Sequence, residues 1–129
     1  YEGPHHCDVP LRDIIDIAFK ANVSGVSFEA ANPRHAHEYT VFDDVKVPDD
    51  IVLIPGVIES KSNFIEHPEL IAQRIMRLAK RVGREQIIVS SDCGYGTWVG
   101  QAAVEPEIVW EKLEVMAEGA KLASTRLWS

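Results

Sequence analysis

Ile51-Val52-Leu53-Ile54, followed by Pro55-Gly56, is the stretch that decides the fold. Four consecutive apolar residues are typical of a strand that is covered on both faces, as the strands of a parallel sheet are. Gln86-Ile87-Ile88-Val89-Ser90 is apolar in the same way and predicts a second such strand. Buried strands need helices on both sides of the sheet, and the flanking segments predict helices.

The segments on either side of these strands carry apolar residues at helical spacing. Pro68 suits the first turn of one helix, and Gly83 is expected to end it. Pro106 begins the last helix, whose apolar face we predict to include six residues. These are Val109, Leu113, Met116, Ala117, Ala120 and Ala123.

The first part of the chain continues the alternation of helices and strands. A helix follows Pro10, is capped by Asp8 and ends near Asn22. Val23–Ala30 reads as another strand, and residues 34–44 hold a short polar helix. The loop at the start of the chain is expected to follow a strand that precedes the first residue. This order predicts an α/β fold with a parallel sheet, in which chemistry lies at the carboxyl ends of the strands.

Composition narrows the class of protein. The chain has 129 residues and a formal net charge of −7, with no cluster of lysine and arginine. We therefore expect a single segment, 1–129, with no internal boundary, and neither nucleic acid nor an anionic membrane as a partner. No apolar run reaches the ~18 residues that span a bilayer. The composition favours a cytoplasmic location, where thiols stay reduced, although a Cys7–Cys93 disulfide remains an alternative.

Potential metal ligands follow several of the predicted strands. His5 and Cys7 are two positions apart in an extended loop, so both side chains can point the same way. Glu29 and Cys93 lie at the ends of two other strands. Zinc takes imidazole, thiolate and carboxylate ligands, usually four of them. The set predicts a zinc site, and a surface loop with a chance cysteine is the alternative for His5-His6-Cys7.

Two further residues are candidate catalytic groups. Lys61 follows the strand of the opening stretch and could bind an anionic substrate or move a proton; a solvated loop lysine is the alternative. Asp92 precedes Cys93 and could hold the ligands in place, or form an Asx turn before Gly94.

The other histidines and aromatic residues are assigned simpler roles. His67 is expected beside a helix start, and solvated loop positions are expected for His6, His35 and His37. Tyr95 and Trp98 are predicted to line a pocket or cover a rim. Trp110 and Trp128 are expected to pack on helices.

At His5-x-Cys7, Glu29 and Ser91-Asp92-Cys93-Gly94 the sequence resembles the catalytic domain of cobalamin-independent methionine synthase. It is most similar to the shorter "methionine synthase II" relatives. Residues 55–62 resemble the loop after that family's seventh strand, and residues 105–128 resemble its last helix. The resemblance implies the C-terminal half of a (β/α)8 TIM-type barrel, incomplete in this chain because a full barrel needs ~250 residues.

The resemblance also implies a reaction. In the family, zinc is held by residues that match His5, Cys7, Glu29 and Cys93, and a small substrate thiol of the homocysteine type binds to it. The resulting thiolate takes a methyl group from a donor, a folate or another compound, in methionine biosynthesis. Glu29 is the natural exchangeable ligand because it is the hardest of the four donors.

Lys61 departs from the pattern, because methionine synthases proper carry a histidine at this position. A lysine suggests a different donor or leaving group, so the related lyases that add coenzyme M to epoxides are the alternative. The enzyme is expected to be a longer chain, of which the 129 residues alone would be inactive, and an inactive fragment of such an enzyme is a further alternative. A half-barrel exposes two sheet edges, so it would associate with the remainder of the barrel or with itself. The family's folate contacts lie upstream of this stretch.

Overall fold

The computed structural model of the protein describes residues 4–96, 99–100 and 102–129. Trp98, a predicted pocket or rim residue, lies outside this part of the chain. The helices are α1 (Leu11–Ala18), α2 (Pro68–Val82) and α3 (Pro106–Leu127). The strands are β1 (Gly25–Phe28), β2 (Val52–Ile58) and β3 (Ser90–Ser91), and short 3-10 helices span Glu38–Asp43 and Arg84–Gln86.

The three strands form one sheet in the order β1-β2-β3, and both pairs are parallel. Gly25 pairs with Val52, and Gly56 pairs with Ser90. Helices connect the strands, as parallel neighbours require. The prediction of an α/β fold with parallel strands alternating with helices is confirmed.

The central strand is longer than the sequence predicts. Pro55-Gly56 looks like the end of a strand, yet β2 continues through it to Ile58. Pro55 pairs with Phe28 of β1, and Gly56 pairs with Ser90 of β3. The residues Val57 and Ile58, which were expected in a loop, are fully buried. The candidate Lys61 therefore follows the strand by only three residues.

The third strand is shorter and more open than predicted. Regular pairing is limited to Ser90–Ser91, with one isolated bridge between Ile87 and Leu53. Ile88 is 59% exposed, so the expectation of an apolar strand covered on both faces is wrong here.

Local sequence explains where the two long helices begin and end. His67 caps α2, because its Nδ1 accepts a hydrogen bond from the Glu69 amide, and Pro68 follows at the first helical position. Gly83 ends α2 with φ of +95°, a conformation that favours glycine. Pro106 begins α3 as predicted.

The start of α1 is capped from another part of the chain. Asp8 was expected to cap it, but Pro10 occupies that position and the cap comes from the 3-10 helix at Glu38–Asp43. A Glu38 carboxylate oxygen accepts the Leu11 amide at 2.8 Å. The helix also ends at Ala18, about a turn earlier than predicted.

The buried face of α3 differs from the predicted one. Lys112, Gly119 and Ala123 are its buried residues, while the predicted Ala117 is exposed. An added Cβ at Gly119 would lie 2.5 Å from the Ile71 Cβ, so α2 and α3 cross in close contact there.

Trp110, on α3, and Trp128, directly after it, are both predicted to pack on helices. Trp110 is instead 72% exposed. Trp128 is 60% exposed, with the Arg84 guanidinium over its ring. Among the described residues, no helix combines the length and the apolar character that a bilayer crossing requires.

Candidate functional site

The candidate residues that follow the strands come together at one edge of the sheet. Glu29 directly follows β1, Lys61 follows β2 by three residues, and Asp92 and Cys93 directly follow β3. Carboxyl ends of parallel strands meet at the same edge, which is where α/β enzymes place their chemistry. The sequence-based placement of these residues at one edge agrees with the structure.

Glu29 and Cys93 are in direct contact. The Cys93 thiol donates to Glu29 Oε1 at 2.7 Å, and the Asn32 side-chain amide donates to Glu29 Oε2 at 2.8 Å. Burial raises the pKa of the Cys93 thiol, and the hydrogen bond and negative charge of Glu29 raise it further. The charge of Lys61 and a hydrogen bond with Ser60 act in the opposite direction. The thiol is thus held protonated unless a cation displaces its proton.

Asp92 fixes the loop that follows β1. Its Oδ1 accepts the amides of Ala30 and Ala31 at 2.8 and 2.9 Å. Its Oδ2 accepts the amide and the side-chain amide of Asn32 at 2.8 and 3.0 Å. Burial raises the pKa of Asp92, although these hydrogen bonds to the carboxylate lower it. Because both oxygens are engaged, the geometry favours a role in positioning Glu29 over one in proton transfer.

His5 faces the same region from the start of the chain. Its Nε2 lies 3.2 Å from Lys61 Nζ, and its Nδ1 lies 3.1 Å from Asp8 Oδ2. A carboxylate on one ring nitrogen fixes the orientation of an imidazole. Asp8, which does not cap α1, therefore orients His5. Lys61 is half-buried here, unlike a solvated loop lysine.

These groups surround a cavity of about 250 Å³. Acidic and basic side chains both line it, so an anionic substrate could be bound on one side and a cation on the other. The lining residues are His5, Glu29, Asn32, Pro33, Arg34, Glu59, Ser60, Lys61 and Asp92.

The four predicted zinc ligands are only partly assembled. Cys93 and Glu29 touch, and His5 lines the cavity with Glu29. Cys7 is exposed, and it and Cys93 are free thiols, so the disulfide alternative is wrong. The donor chemistry fits zinc, which prefers thiolate, imidazole and carboxylate. Within residues 4–96, 99–100 and 102–129, however, no three such side chains are arranged around a common point.

The chain matches a known family over most of its length. The model of the family described as "Cobalamin-independent synthase, Catalytic domain" matches residues 3–121. The chain belongs to this family. The resemblance noted at His5-x-Cys7, Glu29 and Cys93 is thereby confirmed at the level of the family.

The chain is also similar to two individual proteins, one by sequence and one by structure. The 2-hydroxypropyl-CoM lyase of Xanthobacter autotrophicus is 27% identical over 116 residues, which are 88% of this chain and 29% of that protein. A B12-independent methionine synthase from Shewanella, solved with selenomethionine, superposes with a TM-score of 0.73 at 17% identity. That match covers 90% of this chain and 31% of the other, so the fold corresponds to part of a TIM-type barrel. The chain spans about three-tenths of the length of each relative.

A second group of polar residues beside the candidate site was not predicted from the sequence. His35 is mostly buried, with Nδ1 2.8 Å from Glu38 Oε2 and Nε2 3.5 Å from Asp8 Oδ2, so its expected solvated position is wrong. Asp8 thus lies between two imidazoles, those of His5 and His35. The i, i+3 spacing of His35 and Glu38 is the only local signal for this contact. His6 and His37 are exposed, as predicted.

Tyr95 is partly buried against the core. It contacts the apolar cluster between α2 and α3, and its hydroxyl is buried without a hydrogen-bond partner among the described residues. Burial and nearby carboxylates raise its pKa to about 12. Tyr95 therefore stays neutral and packs against this cluster, and it is not among the residues that line the cavity, although the sequence predicts a pocket-lining or rim position.

The contact between Glu29 and Cys93 can be tested in metal-free protein. Glu29→Gln removes a negative charge beside the thiol, so it lowers the pKa of Cys93. We expect iodoacetamide to alkylate Cys93 faster at neutral pH in this variant, by about twofold or more. The pH dependence of the rate should shift to lower pH. Peptide mass spectrometry measures Cys93 and the exposed Cys7 in the same sample.

Glu114→Gln is the matched control, because it changes an exposed carboxylate on α3. It should leave the alkylation rate of Cys93 unchanged. An unchanged rate for Cys93 in Glu29→Gln would contradict the contact.

Proposed function

We propose that this chain carries the thiol-activating part of an enzyme that attaches an alkyl group to the sulfur of a small thiol, with zinc held by His5, Cys7, Glu29 and Cys93. One observation carries the proposal: the Cys93–Glu29 contact lies beside His5 and Lys61 at the strand ends. Membership of the cobalamin-independent synthase family supports it. It favours methyl transfer to a homocysteine-type thiol as the reaction.

Bound zinc would stabilise the substrate's thiolate at neutral pH. The chain's own residues would prepare its ligands. Asn32 holds one oxygen of Glu29 and leaves the other toward Cys93. Asp92 fixes the loop that carries Asn32. Glu29, the hardest of the four donors, would be the exchangeable ligand that makes room for the substrate thiol.

Lys61 would supply the proton that the reaction needs. In S-alkylation a carbon–sulfur bond forms and the bond between that carbon and its leaving atom breaks. The leaving atom takes the electron pair and must be protonated. The Lys61 ammonium lies 3.2 Å from His5 Nε2, on the ligand side of the cavity, and can give that proton.

An epoxide–thiol lyase activity is the second candidate. Two points favour it: the family resemblance implies that Lys61 stands where methionine synthases carry a histidine, and a relative with 27% identity is a 2-hydroxypropyl-CoM lyase. Here the thiolate opens an epoxide, the carbon–oxygen bond breaks, and Lys61 protonates the alkoxide. The same residues would serve both reactions, so the alkyl donor and the acceptor thiol distinguish them.

The two reactions can be told apart by the pair of donor and thiol that the protein accepts. The native protein is incubated with zinc and either methyltetrahydrofolate with homocysteine or epoxypropane with coenzyme M, and the thioether is measured by mass spectrometry. We expect one pair to give product. Lys61→Met should lower that rate by about 10²-fold or more, because a general acid contributes that much.

Lys80→Met is the control, since Lys80 is exposed on α2, away from the cavity. Full activity of Lys61→Met would contradict the role of Lys61. If neither pair reacts and the protein binds no zinc, the proposal fails and the inactive-fragment alternative stands. Sedimentation would then show whether the protein associates with itself.

A further inference from the structure

A buried ion pair lies beneath the loop that carries Lys61. Lys112, on α3, has a side chain with no exposed surface. Its Nζ donates to Glu66 Oε2 at 2.7 Å and to the carbonyl oxygen of Phe64. Glu66 is only 9% exposed. Neither residue lines the cavity, so neither reaches a substrate there.

Glu66 joins the two ends of the loop between β2 and α2. Its second oxygen, Oε1, accepts the amide of Glu59 at 2.8 Å. The carboxylate therefore joins the last residues of this connection to its first residue, and Lys112 binds the carboxylate from α3. Loop residues 59–66 are thus fixed at both ends by one charged group.

The same set of bonds continues to Lys61. Glu59 Oε1 accepts the amide of Lys61 at 2.7 Å, and Lys61 Nζ lies 3.2 Å from His5 Nε2. From Lys112 through Glu66 and Glu59, each contact is a hydrogen bond of 2.7–2.8 Å. The backbone of Lys61 is thus held at the point where its side chain enters the cavity.

Packing alone does not require a charged pair at this place. Removing two charges from water is costly, and apolar residues of similar volume often stabilise such a position equally well. α3 is also joined to α2 by an exposed pair, Arg126 with Glu69 at 2.7 and 2.8 Å, and by the close contact at Gly119. The buried pair differs from these because its hydrogen bonds lead into the loop.

We propose that Lys112 is a positioning residue, which acts through Glu66 to hold loop 59–66 so that Lys61 stays in the cavity. Its effect on the reaction rests on the proposed function, while its effect on the loop does not. The conformation of Lys61 can therefore be measured without substrate or metal.

The test follows the reactivity of Lys61 in Lys112→Met, which keeps the side-chain volume and removes the charge. The native protein is treated with acetic anhydride, and peptide mass spectrometry gives the acetylation rate of Lys61 relative to the exposed Lys80. We expect the Lys61 rate to rise about tenfold as the loop opens locally. Lys112→Arg keeps the charge and should restore a slow rate.

Arg126→Met is the matched control, because it removes an ion pair between α3 and α2 without touching the loop. It should leave the Lys61 rate unchanged. An equal rise in Arg126→Met, or no rise in a folded Lys112→Met, would overturn the proposal. If Lys112→Met does not fold, Glu66→Gln is judged by the same criterion, because it keeps the acceptor for the Glu59 amide.

Amide hydrogen exchange of the unmodified protein tests the hydrogen bonds of the loop without any variant. The proposal requires slow exchange at the Glu59 and Lys61 amides, and free exchange at either one would overturn it. Activity separates the two proposals. A faster Lys61 rate in a protein with no alkyl transfer supports the positioning role and contradicts the proposed function.

Discussion

Replacing Cys93 by serine is expected to remove bound zinc from the native protein and to lower S-alkylation by about 100-fold or more. Substitution of residues that only support a metal ligand costs 10–100-fold, so loss of a ligand should cost at least as much. A serine hydroxyl stays protonated at neutral pH and is a poor zinc ligand. Elemental analysis gives the zinc content, and thioether formation gives the rate.

Ser90→Ala is the control for Cys93→Ser. Ser90 is in the same strand-to-loop segment, and its hydroxyl bonds only the Ser91 carbonyl among the contacts that the structure describes. We expect it to keep both zinc and activity. Equal zinc content in Cys93→Ser and the unchanged protein would show that Cys93 is not a ligand.

The second large effect is expected at Gly56, where β2 and the end of β3 approach most closely. A Cβ on residue 56 would lie 2.0 Å from Asp92 Oδ1, 2.7 Å from Asp92 Cα and 2.8 Å from Asp92 N. Because two of these atoms belong to the backbone, a side-chain rotation cannot relieve the overlap. Gly56→Ala must push β3 away from β2 and break the bond from the Asp92 amide to Ile58.

We expect Gly56→Ala to lower the free energy of unfolding by about 3 kcal/mol or more, at the upper end for overpacking. The movement of Asp92 should also release residues 30–32, so Cys93 should lose its contact with Glu29. Urea unfolding measures the first effect, and the alkylation rate of Cys93 measures the second.

Gly94→Ala is the matched control for Gly56→Ala. A Cβ at Gly94 meets no atom within 4 Å, and the change should stay within about 0.5 kcal/mol. Equal stability of the two variants would contradict the close approach at Gly56.

The fold class could be read from the sequence because its signals are local. Apolar runs, helical spacing and the breakers Gly83 and Pro106 act within a few residues. The bounds of β2 and β3 could not be predicted from such local signals. Pro55-Gly56 is a turn signal by itself, but pairing with strands on both sides keeps it in the sheet. Ile88 is as apolar as its neighbours, yet no element in the described part of the chain covers it.

The candidate site could likewise be predicted from the sequence only in part. Glu29, Lys61 and Cys93 were found from the sequence because each lies just after a predicted strand. The anchoring by Asp92 was not, because its partners lie 60–62 residues away. The sequence around His35 predicts a solvated loop residue, but the fold brings Asp8 and Glu38 against it.

The sequence by itself determined that this protein has parallel strands alternating with helices and that its chemistry-bearing residues follow those strands. Only the tertiary structure decided which of these residues touch and what holds them. Cys93 meets Glu29 across 64 positions, and Lys112 is buried against Glu66 across 46. The physical reason is that local preference depends on neighbours in the chain. Burial and hydrogen bonding depend instead on residues that only the completed fold brings together.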